Sequence, residues 1–161
     1  MTAAEMTGDA NAQNVASPAL NRMGMALFSL IGVLIAAYMS LYKLGVIQTL
    51  ACGTGACEVV QESPWADFLG IPVPFWGVGG YGLLLAASLA GMQPGRNGDR
   101  RIAAVLFGSA TIAFVFSGYL SWIEATRILA WCRWCIGSAV VASALFLLSL
   151  PEIGRLRGGR G

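Results

Sequence analysis

The chain has 161 residues, of which 57% are hydrophobic and only 11% are charged, and its formal net charge is +2. Soluble globular domains carry roughly 25% charged residues, so this composition excludes most soluble classes, and the small net charge gives no reason to expect a nucleic-acid partner. The chain has no histidine, which excludes His-based catalytic triads, His-ligated zinc and His general bases. Four cysteines are the remaining strong nucleophiles. The sequence therefore predicts a small membrane protein whose chemistry uses thiols.

Four apolar stretches are long enough, or nearly long enough, to cross a hydrocarbon core that requires about 20 helical residues. In chain order they are residues 23–42, 74–92, 102–123 and 134–150. The first is too long for the hydrophobic part of a signal peptide and no cleavage pattern follows it, so we expect it to be retained. The last is short and requires Trp131 and Cys132 near the interface. We predict an all-α integral membrane protein, a bundle of four transmembrane helices.

Polar segments flank these stretches. We predict a disordered tail over residues 1–22, a four-helix membrane domain over residues 23–150 and a second tail over residues 151–161. The second stretch contains a run, Gly77-Val-Gly-Gly-Tyr-Gly82, that fits the dinucleotide-binding pattern. It lies inside an apolar segment with no preceding strand, so we interpret its glycines as helix-packing positions.

The basic residues predict an orientation. Three of them, Lys43, Arg127 and Arg133, lie in the first and third loops, whereas the other seven lie in the tails and the second loop. Those seven are Arg22, Arg96, Arg100, Arg101, Arg155, Arg157 and Arg160. The positive-inside rule then places both termini in the cytoplasm and all four cysteines on the opposite, disulfide-permissive face. All five tryptophans lie near the same face; they fit an interfacial belt, or one or two of them wall a pocket beside the cysteines.

The cysteines form two close pairs. Cys132 and Cys135 form a C-x-x-C motif where the fourth helix begins, and the helix N-terminus and Arg133 favour a thiolate at its first position. A disulfide that closes so small a loop is a poor structural staple, which favours a redox pair. Cys52 and Cys57 lie in a glycine-containing loop, which indicates electron transfer between the pairs by thiol–disulfide exchange. Two structural disulfides and a four-cysteine zinc site are the alternatives.

Such a relay requires an electron acceptor. No histidine is available for haem and no cysteine for an iron–sulfur cluster, so we expect a lipid-soluble quinone to reach Cys135 from within the bilayer. No charged residue lies inside the four stretches, so we expect protons to enter from the extracytoplasmic side. Four acidic residues lie near the cysteines in sequence and none stands out, so we interpret them as solvated loop charges. They are Glu58, Glu62, Asp67 and Glu124.

The order of these motifs resembles the vitamin K epoxide reductase (VKOR) family over residues 23–150. The resemblance comprises a cysteine pair after the first helix, the pattern Cys57-x₅-Ser63-x-Trp65, the run Gly70-Ile-Pro-Val-Pro74 before the second helix, and the C-x-x-C motif at the fourth. The unrelated DsbB-type quinone reductases carry their C-x-x-C motif in the first loop. The order found here favours the VKOR family, and most closely its bacterial members.

The resemblance implies a four-helix bundle around a quinone, with a partly helical extracytoplasmic loop between the first two helices lying over its mouth. It implies that Cys135 reduces the quinone and that Cys132 exchanges with Cys57. It also implies that Cys52 pairs with Cys57 and exchanges with a thioredoxin-like partner. The implied acceptor is ubiquinone or menaquinone, with no metal. The positions that match the family's quinone pocket are Val60, Ser63, Trp76 and Ala139.

The function implied by the resemblance is a thiol:quinone oxidoreductase of the bacterial inner membrane that reoxidises a separate, DsbA-like periplasmic protein. This chain has Val73 and Ala139 where animal members carry asparagine and tyrosine, which makes vitamin K epoxide a less favoured substrate. Ser63 has a second interpretation as the N-cap of a short helix that begins at Pro64 and ends at Gly70. A vitamin K epoxide or quinone reductase proper, and a non-enzymatic protein with two structural disulfides, remain the alternative functions.

Overall fold

The computed structural model describes residues 3–53, 56–96 and 98–158, most of which are helical. Its helices are α1 (Ala3–Lys43), α2 (Ala56–Glu62), α3 (Val73–Gly91), α4 (Arg100–Ile123) and α5 (Arg133–Gly158). Between α2 and α3 lie a 3₁₀ turn over Pro64–Ala66 and a hairpin of two short strands, β1 (Asp67–Phe68) and β2 (Ile71–Pro72). After α4 the chain continues as a π-helical turn over Glu124–Ile128.

Four segments of the described helices are long and apolar enough to cross a membrane. They are Leu20–Lys43, Val73–Gly91, Arg100–Ile128 and Arg133–Gly154. The predicted fold class, a multi-pass bundle of four membrane helices, is confirmed. The third span is longer than predicted, because the helical backbone does not stop where α4 ends at Ile123 but continues through the π-helical turn to Ile128.

The ends of the chain are more helical than the sequence predicts. The helix α1 begins at Ala3, inside the predicted N-terminal tail, and α5 runs to Gly158, beyond the predicted end of the membrane domain at residue 150. The assignment of these ends as cytoplasmic tails stays a prediction. Arg160, one of the residues used to predict the orientation, and Gly55 of the cysteine loop lie outside the described residues.

The four long helices form a closed ring in which α1 packs against α3 and α5, and α4 packs against the same two helices. One buried side chain from each helix meets in the core: Met25, Leu84, Leu106 and Leu145, none of which is exposed. The outer faces of the helices are apolar too, as a lipid-facing surface requires. Examples are Leu34, Ile112 and Val140, which are 61%, 71% and 62% exposed.

Small residues let α1 and α3 approach closely. A Cβ at Gly32 would lie 2.5 Å from the ring of Tyr81, and a Cβ at Gly77 would lie 3.0 Å from the Cβ of Ala36. The packing interpretation therefore holds for Gly77. It does not hold for Gly80, where a Cβ would meet no atom within 4 Å.

A buried ion pair closes the end of the bundle where α1 enters the membrane and α3 and α5 leave it. The Arg22 guanidinium donates two hydrogen bonds of 3.1 Å to the two carboxylate oxygens of Glu152, and a third, of 2.6 Å, to the carbonyl oxygen of Gly91. Neither charged side chain is more than 1% exposed. A Cβ at position 91 would lie 2.7 Å from Arg22 Nη1, so a larger residue there would displace the guanidinium from its present position. We term this the clamp end.

The hairpin between α2 and α3 corrects one local prediction. Leu69 and Gly70 have φ of 57° and 78°, which is the pair of positive angles that a two-residue hairpin turn requires. Gly70 therefore lies at the tip of a hairpin, and the prediction that it ends a short helix is wrong. The prediction failed because the end of a helix and the tip of a hairpin both favour glycine, which adopts positive φ easily.

Candidate thiol redox site

The end of the bundle opposite the clamp end gathers all four cysteines. We term it the thiol end; it comprises the end of α1, the loop with α2, the π-helical turn and the start of α5. One buried cluster contains Cys52, Cys57 and Cys132, and Cys135 packs against it. Cys52 and Cys57 form a disulfide with their Cα atoms 6.1 Å apart, whereas Cys132 and Cys135 are free thiols. A disulfide and a dithiol thus share one cluster, as thiol–disulfide exchange requires.

The loop that carries the disulfide is tied down on both sides. The backbone N–H of Ala51 donates to the hydroxyl of Tyr38 on α1 at 3.0 Å, and the N–H of Leu50 donates to Glu58 Oε1 on α2 at 2.8 Å. Cys52 is 2% exposed and Cys57 is fully buried. A thiol in solution can therefore reach this disulfide only after the loop has opened.

The sulfur of Cys132 caps α5. The carbonyl oxygen of Cys132 accepts the first helical hydrogen bond, from Ile136 N–H at 2.9 Å, and its Sγ accepts from the N–H of Cys135 at 3.4 Å. The sulfur therefore occupies the place of a serine or aspartate oxygen at a helix N-cap. The side-chain hydrogen bond with Cys135 lowers the pKa of the Cys132 thiol, and the backbone N–H groups of Cys135 and Trp134 add to this, although burial opposes it.

Glu124, the first residue of the π-helical turn, lies directly against this motif. It is 4% exposed, its Oε2 accepts a hydrogen bond of 3.1 Å from the N–H of Cys132, and its carboxylate interacts with the thiol of Cys135. The interpretation of Glu124 as a solvated loop charge is therefore wrong. Sequence reasoning missed it because the charge marked the end of an apolar stretch, whereas the helix continues and brings the side chain over the start of α5.

The other three acidic residues differ from Glu124. Glu62 is exposed and accepts a hydrogen bond of 2.8 Å from the Tyr42 hydroxyl. Asp67 lies 3.7 Å from Lys43 with half of its side chain exposed, so both residues fit the solvated interpretation. Glu58 accepts the N–H of Leu50 in the cysteine loop, so it does not fit the solvated interpretation.

A cavity of about 30 Å³ lies beside Cys135. Its walls come from α2, the segment that follows, the start of α3, the end of α4, the π-helical turn and the start of α5. The residues that line it are Val60, Gln61, Ser63, Trp65, Ala66, Val73, Leu120, Ile123, Glu124, Ile128 and Cys135. The cavity is therefore mostly apolar, with the reactive thiol and a carboxylate in its wall.

Two of the four predicted quinone contacts, Val60 and Ser63, line this cavity. The Ser63 hydroxyl donates to the carbonyl oxygen of Val60 at 2.7 Å instead of capping the turn that begins at Pro64. Trp76 and Ala139 lie outside the lining, and their role stays a prediction. Trp76 is 44% exposed and its indole N–H donates to the carbonyl oxygen of Phe68 at 3.2 Å.

Comparison with known proteins agrees with this arrangement. The sequence model of the Vitamin K epoxide reductase family matches residues 23–150. The chain belongs to this family. The Thiol-disulfide oxidoreductase LTO1 of Arabidopsis thaliana is 30% identical to the chain over 105 residues, which are 63% of this chain and 28% of that protein. The chain thus corresponds to little more than a quarter of that relative's length.

The chemistry of the cavity in this VKOR-family protein suits an uncharged ring such as a quinone. Apolar walls surround a few polar atoms, and Gln61 Oε1 is buried without a hydrogen-bond partner among the residues that the structure describes. The open space of about 30 Å³ holds roughly one water molecule, so a ring can enter only if side chains move. Trp65, which is 47% exposed, is the large lining side chain best placed to move. Among the described residues, no group of three or more Cys, Asp or Glu side chains could hold a metal ion.

Proposed function

We propose that this protein is a membrane thiol:quinone oxidoreductase that reoxidises a thioredoxin-like partner of the DsbA type and thereby supports disulfide formation. The observation that carries the proposal is the single buried cluster in which a disulfide and a dithiol meet, with Cys135 in the wall of an apolar cavity. The similarity to a thiol-disulfide oxidoreductase supports the same chemistry. We propose that both termini lie in the cytoplasm and the thiol end on the opposite face, as the basic residues predict, and that the membrane is a bacterial inner membrane, as the family resemblance implies.

The cycle starts when a thiolate of the reduced partner attacks Cys52, which forms a mixed disulfide and releases the thiolate of Cys57. The second thiol of the partner resolves the mixed disulfide, so the partner leaves oxidised and the loop pair is reduced. Cys57 then attacks Cys132 of an oxidised C-x-x-C pair and releases Cys135. Closure of the Cys52–Cys57 bond gives a loop disulfide beside a free Cys132 and Cys135, which is the state seen here.

The last step returns the C-x-x-C pair to its oxidised form. Two thiol groups lose two electrons and two protons, one sulfur–sulfur bond forms, and a quinone becomes a quinol. Cys135 lines the cavity while Cys132 is buried on the side of the loop disulfide, which supports this division of roles between the two sulfurs. The quinone, ubiquinone or menaquinone, is the substrate that removes the electrons; the chain supplies the thiols and the cavity.

Vitamin K epoxide is the competing substrate. Val73, which occupies the position of an asparagine in animal members of the family, lies in the cavity wall and offers no polar contact to an epoxide oxygen. This observation favours quinone reduction alone over epoxide reduction.

The test uses the full chain in lipid nanodiscs with a reduced thioredoxin-like protein and either ubiquinone or menaquinone, following quinone absorbance. We expect one quinol for each partner disulfide formed, and no turnover in Cys135→Ala or Cys52→Ala. A partner variant without its second, resolving thiol should be trapped in a mixed disulfide with Cys52, and the Cys52→Ala protein should not form this species. A protein with two purely structural disulfides would oxidise no partner. Turnover of vitamin K epoxide with a dithiol at the rate of the quinone would contradict the substrate preference.

A further inference from the structure

We propose that Glu124 is a catalytic residue of dithiol oxidation, whose carboxylate takes the proton of the Cys135 thiol and passes it to the reduced quinone. This inference rests on the proposed function and adds the group that moves the proton. It starts from a feature that the thiol relay leaves unexplained, a buried carboxylate beside the reactive sulfur.

The position of Glu124 suits proton transfer on both sides. The carboxylate of Glu124 and the thiol of Cys135 both lie in the wall of the same cavity, so a group bound there would contact both. General acid–base catalysis requires that the reacting atoms and the group that exchanges the proton come within reach of each other. The second role of the side chain, accepting the N–H of Cys132 at 3.1 Å, keeps the carboxylate in register with the C-x-x-C motif.

No other charge competes for this carboxylate among the described residues. The titratable groups that face Glu124 are the two thiols of the C-x-x-C motif at the start of α5. The neighbours from α2 and the segment after α2 are Gln61 and Ser63, which carry no charge, and the neighbours from α4 are Leu120 and Ile123. Arg127, on its own turn, is exposed. A buried carboxylate that serves only structure is normally paired with a cation, as Glu152 is with Arg22.

The sulfur–sulfur bond between Cys132 and Cys135 forms as the S–H bond of Cys135 breaks, and the proton moves to a carboxylate oxygen of Glu124. Two electrons pass to the quinone. Glu124 returns its proton to complete one O–H bond of the quinol, and the proton of the other comes from the Cys132 thiol or, when that thiol is already ionised, from water. Glu124 ends the step as the carboxylate with which it began.

The first test measures a single turnover of the pre-reduced protein with a short-chain ubiquinone in nanodiscs. Glu124→Gln keeps the size of the side chain and an oxygen for the Cys132 N–H but cannot take a proton. We expect it to slow dithiol oxidation about 100-fold, the size of a typical acid–base contribution. Glu124→Asp keeps the carboxylate and should recover part of the rate. Reduction of the Cys52–Cys57 disulfide by dithiothreitol should stay within about twofold in both variants, because it does not use the C-x-x-C thiols.

The second test needs no quinone. Oxidising the dithiol with diamide removes the thiol proton that faces Glu124, so the infrared difference spectrum of the wild-type protein should contain a carboxyl band. We expect Glu124→Gln to lack this band. Glu62→Gln, which removes an exposed carboxylate at the same end of the bundle, serves as the matched control and should keep both the band and the rate.

Three outcomes would overturn the proposal: Glu124→Gln oxidised by quinone within about twofold of the wild-type rate, a wild-type spectrum without a carboxyl band, or Asp and Gln variants that are equally slow. If Glu124→Gln does not fold, the wild-type spectrum and the Asp variant still decide. Failure of the wild-type protein to reduce any quinone would refute the proposed function, whereas the carboxyl band would still report proton transfer between Cys135 and Glu124.

Discussion

The clamp end and the thiol end each bury a glutamate that bridges helices, and the two glutamates have opposite environments. Glu152 accepts two hydrogen bonds from Arg22, which in turn donates to Gly91, so α1, α3 and α5 are joined by a matched pair of charges. Glu124 is held by one backbone N–H and lies against a thiol. In the first arrangement both carboxylate oxygens already accept hydrogen bonds from a cation, so the group is poorly suited to proton transfer. The second leaves a carboxylate beside a reactive atom.

The difference shows how a histidine-free, charge-poor bundle divides its few charges between structure and reaction. A buried carboxylate bonded to arginine on both oxygens is locked, because proton exchange would leave the cation unpaired. A carboxylate next to a thiol can exchange its proton at low cost in packing. We therefore expect substitutions at the clamp end to change stability and those at the thiol end to change rates.

The largest effect on stability is expected at the clamp end. Glu152→Leu leaves the Arg22 guanidinium, which is fully buried, without its carboxylate partner. Removing one partner of a buried pair costs about 3–5 kcal/mol. We expect a matching loss in the free energy of unfolding in mixed micelles, with an unchanged quinone rate in the protein that remains folded.

A double variant controls for the shape of the site. Arg22→Met combined with Glu152→Leu removes both charges and should recover most of the lost stability, since apolar replacement of a buried pair is often neutral. If the double variant is as unstable as the single one, the clamp acts through packing and the contrast between the two ends fails. A large loss of stability in Glu124→Gln would also contradict the contrast, because it would show that Glu124, like Glu152, is needed for the fold.

A smaller effect is expected in the loop that covers the disulfide. Tyr38→Phe removes the hydroxyl that accepts the Ala51 N–H but keeps the ring that packs on Trp134 with centroids 4.8 Å apart. One hydrogen bond contributes about 0.5–1.5 kcal/mol, so the open loop should become roughly two- to tenfold more populated. We expect reduction of the Cys52–Cys57 disulfide by dithiothreitol to accelerate by that factor.

Tyr42→Phe is the matched control, because the Tyr42 hydroxyl bonds to the exposed Glu62 and not to the loop. Equal rates in both variants would mean that the loop does not gate access to the disulfide. The thermal unfolding temperature should not change in either variant, because neither substitution touches the clamp end.

The smallest effect concerns the titration of Cys132. Its lowered pKa means that the thiolate persists to lower pH than in an ordinary cysteine, and the largest cause is the side-chain hydrogen bond with Cys135. Cys135→Ala removes this bond and should move the titration back to higher pH. Cys135→Ser keeps a hydroxyl donor and should move it less. Thiolate ultraviolet absorbance against pH, measured with Cys52 and Cys57 replaced by serine, checks both; an unmoved titration in Cys135→Ala would contradict the stated cause.

Local patterns predicted much of the thiol end. The C-x-x-C motif predicted a cysteine at a helix start, where a thiolate is favoured, because the position of a cysteine relative to a helix N-terminus is a local property; the structure adds that the Cys132 sulfur itself accepts a helical N–H. The order of the cysteine pairs implied the loop disulfide through the family resemblance, and the structure contains it. The hairpin at Gly70 and the hydrogen bond of Ser63 were predicted incorrectly, because short turns with the same residues differ by few local interactions.

The sequence by itself determined that the chain spans a membrane four times and that its four thiols lie at one end. Both properties follow from the lengths of the apolar stretches and the positions of the cysteines between them, which can be read along the chain without knowing how the helices pack. Only the tertiary structure decided what each charge does. Arg22 and Glu152 are 130 residues apart in the chain, and Glu124 meets the thiols only because a π-helical turn follows α4 beyond the apolar stretch. Burial and pairing depend on which helices lie side by side, which charge patterning along one chain does not record.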